Sequence, residues 1–206
     1  MSTGKRSTLE SILQAAKAEF LEKGFQEASL RNIVKTAGVT TGAFYGYFNS
    51  KEEMFDSLVK EAHDFLIERF KASVTAFEHL PTAEKPDHLG KESLEYIKES
   101  LPFIYEHMDE YTLLFECAEG TRYAHIKDEM IEIEVQCTHR YYDVLESLGY
   151  PHPKVDPRLE HIIITGTMNA YCELFLHKMP EEQALKCIED LNTFYTAGWS
   201  KIMGQD

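Results

Sequence analysis

The stretch Ser29-Leu30-Arg31-Asn32-Ile33-Val34-Lys35-Thr36-Ala37-Gly38-Val39-Thr40-Thr41-Gly42-Ala43-Phe44-Tyr45-Gly46-Tyr47-Phe48-Asn49-Ser50-Lys51-Glu52-Glu53-Met54 holds three helix starts close together. Ser29 can cap a short helix carrying Leu30, Ile33, Val34 and Ala37, which Gly38 ends. Thr40 or Thr41 can cap a second short helix with Phe44, Tyr47 and Phe48. Ser50-Lys51-Glu52-Glu53 has the form of a capping box and opens a long helix whose stripe runs Met54, Phe55, Leu58, Ala62, Phe65, Leu66 and on toward Phe77. Two short helices about a tight turn, with a third helix packed behind, are the parts of a helix-turn-helix DNA reader. The first crosses the phosphate backbone and the second enters the major groove, N-terminal residues foremost. The chemistry suits that role. Thr40 and Thr41 set hydroxyls at the leading end, Gly42 leaves room for close approach, and Tyr45 and Tyr47 offer phenols to phosphate oxygens, while Phe44 and Phe48 face the core. The helix starts at Ser29 and Ser50, the latter followed by Lys51, are natural phosphate anchors.

Upstream, Ser7-Thr8-Leu9-Glu10 is another capping box, and Leu9, Ile12, Leu13, Ala16 and Phe20 mark one helix face until Gly24 stops it. With Ile12-Leu13-Gln14-Ala15-Ala16 and Phe20-Leu21-Glu22-Lys23-Gly24-Phe25 in place, roughly residues 5 to 65 resemble the N-terminal domain of the tetracycline-repressor (TetR) family of bacterial transcription regulators. The resemblance implies phosphate contacts from Ser29, Tyr45, Tyr47 and Lys51 and base-edge reading by Thr40, Thr41 and Gly46, with Arg31 and Gly42 in the DNA-contacting set. Family members often carry a bulky aromatic or basic residue where this chain has Gly46, and histidine where it has Tyr47. Glycine in mid-helix also costs up to about 1 kcal/mol relative to alanine, which points to sparser base readout.

The remaining segments read as helix at three- and four-residue apolar steps, with no strict alternation, so the fold class is all-α. Pro81, Pro86 and Gly90 interrupt the pattern, Pro102 kinks or divides the next helix, and helices follow through Tyr111 to Ala118 and from about Tyr123 to Leu148. Gly149 to Pro153 is a loop, Asp156-Pro157 opens a helix to about Lys178, and Pro180 separates it from a last one to about Met203. The resemblance implies a three-helix DNA-binding domain at residues 1–50 and a ligand-binding and dimerisation domain at residues 51–206, acting as a homodimer on a double-stranded operator and answering to a small-molecule effector. The expected dimer interface is the last two helices: Leu159, Ile163, Gly166, Ala170 and Leu174 on one, Ala184, Cys187, Ile188, Leu191, Phe194, Tyr195, Gly198 and Ile202 on the other. The effector pocket is expected between the modules, from Phe103, His107, Tyr111, Phe115, Tyr123, His139, Tyr142, Met168, Tyr171 and Phe175, with Glu116 meeting a cationic ligand.

A formal net charge of −14 argues against a nucleic-acid partner until it is located: residues 1–49 carry +2 and residues 50–206 carry −16. The nine histidines and four cysteines show no H-x-x-x-H, E-x-x-H or C-x-x-C pair, and neither a G-x-S-x-G nor a Walker loop is present. No catalytic residue, metal or cofactor is therefore expected, and the thiols read as reduced core residues. The longest apolar runs, such as Ile162-Ile163-Ile164, fall far short of a membrane span, and no signal peptide is recognised, so a cytoplasmic location is expected. The reading from a different class is an all-α ligand-binding protein or enzyme with a vestigial helix-turn-helix.

Overall fold

The computed structural model describes residues 3–151 and 153–205, with side chains from residue 7 onward; the side chains of Lys5 and Arg6, and His152 in the loop, lie outside the described residues. Helices α1 (Thr3–Glu27), α2 (Leu30–Thr36), α3 (Thr41–Phe44), α4 (Lys51–His79), α5 (Lys91–Glu106), α6 (Met108–Glu116), α7 (Ile126–Ser147), α8 (Pro157–Leu176) and α9 (Glu181–Met203), with a 3-10 helix at Thr82–His88, form an all-α chain without strands among the described residues.

Several boundaries differ from the sequence expectation for identifiable reasons. Helix α1 starts before the Ser7 box, and the Ser7 carbonyl instead accepts from the Ser11 hydroxyl at 2.9 Å within it. Extending a formed helix costs less than starting one, so a local start signal does not fix the first turn. Gly24 does interrupt the helix, at φ 71° and ψ 165°, a left-handed backbone that a side chain would strain. Pro102 sits inside a continuous α5, and the division comes after Glu106. Asp156 caps α8 as expected, accepting from the Arg158 N–H at 2.9 Å with Pro157 first in the helix.

By contacts the chain falls into two compact units, Met1–Asp64 with His107–Ile126, and Phe65–Glu106 with Lys127–Asp206. In the first unit Ile12, Phe20, Ile33, Phe44, Met54 and Phe55 are fully enclosed, each worth about 1.5–3 kcal/mol of burial. The rings of Phe20, Phe25 and Phe55 pack mutually, Phe20 against Phe55 edge-on at 5.1 Å. Helix α6 joins this unit through α1: Lys17 pairs with Glu110, and the Phe25 N–H donates to the Cys117 carbonyl at 2.8 Å. In the second unit α9 packs on α5 and α8, and Tyr141, Tyr142, Leu145 and Met203 form a core against Phe77, Leu89 and Trp199.

Candidate DNA-reading site and effector-binding residues

The turn from α2 to α3 is set by Gly38. At φ 68° it reverses the chain, its N–H donating to the Lys35 carbonyl at 3.2 Å and the Val39 N–H to the Val34 carbonyl at 3.0 Å. Helix α3 then starts at Thr40, whose hydroxyl oxygen accepts from the Ala43 N–H at 3.1 Å. It lasts a single turn. Beyond Phe44 the backbone tightens, with the Gly46 N–H on the Ala43 carbonyl at 3.1 Å and the Tyr47 N–H on the Phe44 carbonyl at 2.8 Å. A Cβ on Gly46 would stand 3.2 Å from the Ala43 carbonyl, so glycine suits this tightened turn. Phe44 is fully buried and Phe48 nearly so, while Thr40, Thr41, Gly42 and Gly46 are exposed and Tyr45 is 56% exposed. The apolar side of this short element thus grips the core and its polar, small-residue side faces outward.

The flanking anchors are built differently from the expectation. Ser29 caps α2, its hydroxyl oxygen accepting from the Asn32 N–H at 3.4 Å, but its own N–H donates to the Glu19 carboxylate at 3.0 Å. Arg31 is exposed on the first turn of α2, and Tyr47 is half-buried. At Ser50 the hydroxyl accepts from the Glu53 N–H at 3.1 Å, and Glu53 reaches back to the Asn49 N–H at 2.7 Å. Lys51, expected at phosphates, points inward instead. Its ammonium donates to the carbonyls of Phe25 at 2.6 Å, Ala28 at 3.0 Å and Gln26 at 3.2 Å, and lies 4.5 Å from the centre of the Phe25 ring. Three acceptors exhaust its three N–H bonds, so the side chain ties α4 to the end of α1 rather than reaching for DNA.

The residues expected to form a pocket fall into both units. In the first, Tyr111 is enclosed, its hydroxyl donating to the Ala62 carbonyl at 3.2 Å and its ring stacked on Phe115; burial pushes its phenol upward. Tyr123 donates to Asp56 at 2.7 Å and accepts from Arg122 at 2.6 Å, while burial raises its phenol to about 12. Arg122 also pairs with Asp56, so this trio holds the 117–125 segment on α4, an arrangement with no local sequence signature. His107 stands at the cap of α6, and Glu116 is exposed at the last residue of that helix. In the second unit Phe103 stacks on Phe65 with ring centres 3.9 Å apart, and Phe175 meets Tyr105 edge-on. His139 and Tyr142 converge on one buried carboxylate: Glu160, 3% exposed, lies 2.7 Å from the His139 Nε2 and accepts from the Tyr142 hydroxyl at 2.7 Å. Burial, and Glu160 after it, raises the Tyr142 phenol. Met168 and Tyr171 are half-buried on α8, and burial lifts the Tyr171 phenol to about 12. Glu160 escaped the sequence reading, although an acid at an inward step of an apolar helix was visible there.

The stripes assigned to the last two helices divide. Leu174, Ala184 and Ile188 are buried within the chain. Leu159, Phe194 and Ile202 are 45%, 70% and 41% exposed, beside the exposed glycines Gly166 and Gly198. Ile162, outside the expected stripe, is 64% exposed. Among the described residues no cluster of His, Cys, Asp and Glu could hold a metal ion, and no helix is long and apolar enough to cross a membrane.

A capped helix, a glycine turn and a short second helix with an outward polar end, all set on one aromatic core, define a helix-turn-helix DNA-binding protein. The model of bacterial regulatory proteins of the tetR family matches residues 12–58. The chain is 30% identical over 159 residues to the HTH-type transcriptional repressor KstR2 of Mycobacterium tuberculosis, across 76% of this chain and 75% of that protein. Its fold resembles the solved structure of the ketosteroid transcriptional regulator KstR2 (TM-score 0.55, 21% identity, 92% of this chain and 93% of that one). It also resembles the transcriptional regulator FadR of Bacillus subtilis in complex with stearoyl-CoA (TM-score 0.55, 18% identity, 92% and 98%). The chain belongs to the TetR family and is a DNA-binding transcriptional regulator.

Proposed function

We propose that this regulator is a repressor that holds a pseudo-palindromic operator as a homodimer and leaves it when a small-molecule effector binds. The observation that carries this reading is the exposed leading end of α3, where Thr40, Thr41 and Gly42 stand on the buried Phe44. That end reads base edges, with Tyr45 and the exposed Arg31 on phosphates and the hydroxyls of Ser29 and Tyr47 beside them. Residues 1–50 form the reading domain and residues 51–206 the effector-binding and dimerisation domain.

Two copies are needed because half-sites lie about 34 Å apart along the duplex. The exposed Leu159, Ile162, Phe194 and Ile202 supply an apolar surface for the second copy, and the exposed glycines Gly166 and Gly198 let helices approach closely. The stearoyl-CoA bound to the FadR relative, together with the name of the ketosteroid regulator KstR2, supports an apolar effector body for this chain too. The effector acts by population shift, favouring a dimer whose reading helices no longer match successive grooves. Helix α4 contributes to both units and is the natural transmitter. A hundredfold loss of DNA affinity needs only about 2.7 kcal/mol of differential binding. Footprinting on the DNA upstream of the coding region tests the proposal. A two-fold symmetric protected site, bound by a dimer and released at high salt, is expected, and absence of any protected site overturns it.

A further inference from the structure

Helices α2 and α3 are seven and four residues long, too short to hold an orientation by themselves, so the aim of α3 depends on how α2 is fixed to α1. Between the two the chain passes Gly24, at φ 71° and ψ 165°, and the Ala28 N–H returns to the Gly24 carbonyl at 3.1 Å. Ile33 and Val34 bury the apolar side of α2, but an apolar contact is non-directional and resists tilting weakly. The directional link is Glu19. One oxygen of its carboxylate accepts from the Ser29 N–H at 3.0 Å and from the Asn32 side-chain amide at 3.3 Å. The Ser29 hydroxyl in turn accepts from the Asn32 N–H at 3.4 Å, which closes the set. Glu19 itself stands on a firmly held stretch of α1: Ala15, Ala16 and Phe20 are buried, and the Phe20 ring packs edge-on against Phe55. The start of α2 is thus tied to α1 by two hydrogen bonds that meet on one atom.

We infer that Glu19 is a positioning residue for base reading: through the Ser29 N–H and the Asn32 amide it sets the tilt of α2 and thereby where Thr40 and Thr41 meet the groove. The turn passes that orientation on, with the Gly38 N–H on the Lys35 carbonyl at 3.2 Å and the Val39 N–H on the Val34 carbonyl at 3.0 Å. Seven helical residues span about 10 Å, so a tilt of about 10° displaces the far end by about 2 Å. A hydrogen bond to a base edge holds over a range of only about 0.5 Å, and such a displacement breaks it. The long side chains of Arg31 and Lys35, exposed on α2, can follow a phosphate over the same displacement. Glu19 therefore acts on discrimination between sequences and not on the attraction to duplex in general. What the two donors require is an acceptor at this reach. Glutamine offers one without the charge, and aspartate offers the charge one methylene short. The inference rests on α3 as the reading element.

The test sets the footprinted operator against a shuffled duplex of equal length in competition gel shifts, below the melting temperature of each protein. It uses the full-length chain and its Glu19→Ala, Glu19→Asp and Glu19→Gln variants. The ratio of operator to shuffled affinity is expected to fall at least about fivefold in Glu19→Ala and Glu19→Asp, the discrimination of one base-edge contact, with affinity for the shuffled duplex unchanged. Glu19→Gln is expected to keep the ratio. A merely structural role lowers the melting temperature and weakens both duplexes alike, and an unchanged ratio in the Ala and Asp variants overturns the proposal. So does a ratio kept in Glu19→Asp and lost in Glu19→Gln, which assigns the effect to charge and not to reach. Amide exchange on the unaltered protein needs no variant to fold: the Ser29 N–H is expected to be protected, and exchange at the rate of an unfolded chain overturns the link. An unaltered protein with no preference for the operator overturns reading by α3 and this proposal together. A preference that the Ala and Asp variants retain overturns the role of Glu19 alone.

Discussion

Replacing Lys51 by methionine separates two roles for a residue at the start of α4. Methionine keeps the apolar stem and removes the charge and its three donors. Phe25, Gln26 and Ala28 follow the break at Gly24, and their carbonyls lie 2.6, 3.2 and 3.0 Å from the Lys51 ammonium. Hydrogen bonds to a charged group contribute about 1.5–3 kcal/mol when buried. Here the bonds are at most partly buried and water would replace part of each, so the set is worth about 2 kcal/mol, with roughly 0.5 kcal/mol more from the charge over the Phe25 ring. At about 2–4 °C per kcal/mol for a chain of this size, the melting temperature should fall by about 5–10 °C. Scanning calorimetry measures that fall, and the salt dependence of operator binding measures the rival role. A phosphate contact contributes about 0.9 to the slope of log affinity against log salt. The structure predicts a lower melting temperature with an unchanged slope; an unchanged melting temperature with a slope reduced by about one refutes the inward placement of Lys51.

Thr41→Ala should alter discrimination between operator variants by about 1–3 kcal/mol, whereas Tyr45→Phe should weaken all sequences alike. Competition gel shifts with single-base operator mutants read both, and operator affinity untouched in both variants would discard α3 as the reading element. Phe194→Glu, at a position 70% exposed, should leave folding intact yet turn a dimer into monomer on size-exclusion chromatography and abolish tight operator binding; a persistent dimer would move the interface elsewhere. Burial holds the phenols of Tyr123 and Tyr171 at about 12. Their folded pKa is above the unfolded value near 10, so their contribution to stability is complete below about pH 10 and declines as pH rises toward 12. Melting curves should show that decline, shallower in Tyr123→Phe; a flat profile between pH 9 and about 12 would count against enclosed phenols.

Much of the DNA-reading end was legible because its signals are local. Ser29, Thr40 and Ser50 each accept the N–H that a capping residue should, and Gly38 adopts the backbone that only glycine enters readily. What escaped was set by contacts distant in sequence. Lys51 looks like a phosphate anchor until the chain end of α1 brings three carbonyls to it, and nothing within a few residues of either announces the meeting. Helical spacing of apolar residues placed Leu174, Ile188 and Phe194 on equal terms, yet the first two are buried within the chain and the third is exposed. Periodicity shows that a stripe is apolar, not whether its own chain covers it. Glu160 breaks otherwise apolar steps, and that interruption was the available signal for it.

A regulator must also ignore most of the DNA it meets, and the ion pairs of the reading end bear on this. Lys17 is paired with Glu110, Lys23 with Glu22 and Lys51 with carbonyls, so among the described side chains of residues 7–51 Arg31 and Lys35, both exposed on α2, are the cations left to face phosphate. Two such contacts per copy give about four per dimer, and this segment then contributes about −3.6 to the salt slope. With −16 on residues 50–206, random duplex offers the protein little net attraction. In the proposed dimer, affinity then depends on the hydroxyls of two α3 elements meeting two half-sites at once, which makes their spacing the controlling variable. An effector that shifts this spacing meets no large sequence-independent attraction holding the protein in place, so a modest coupling energy suffices to release it. A measured slope of about −8 or steeper would show that bulk charge dominates binding, and this route to release would then fail.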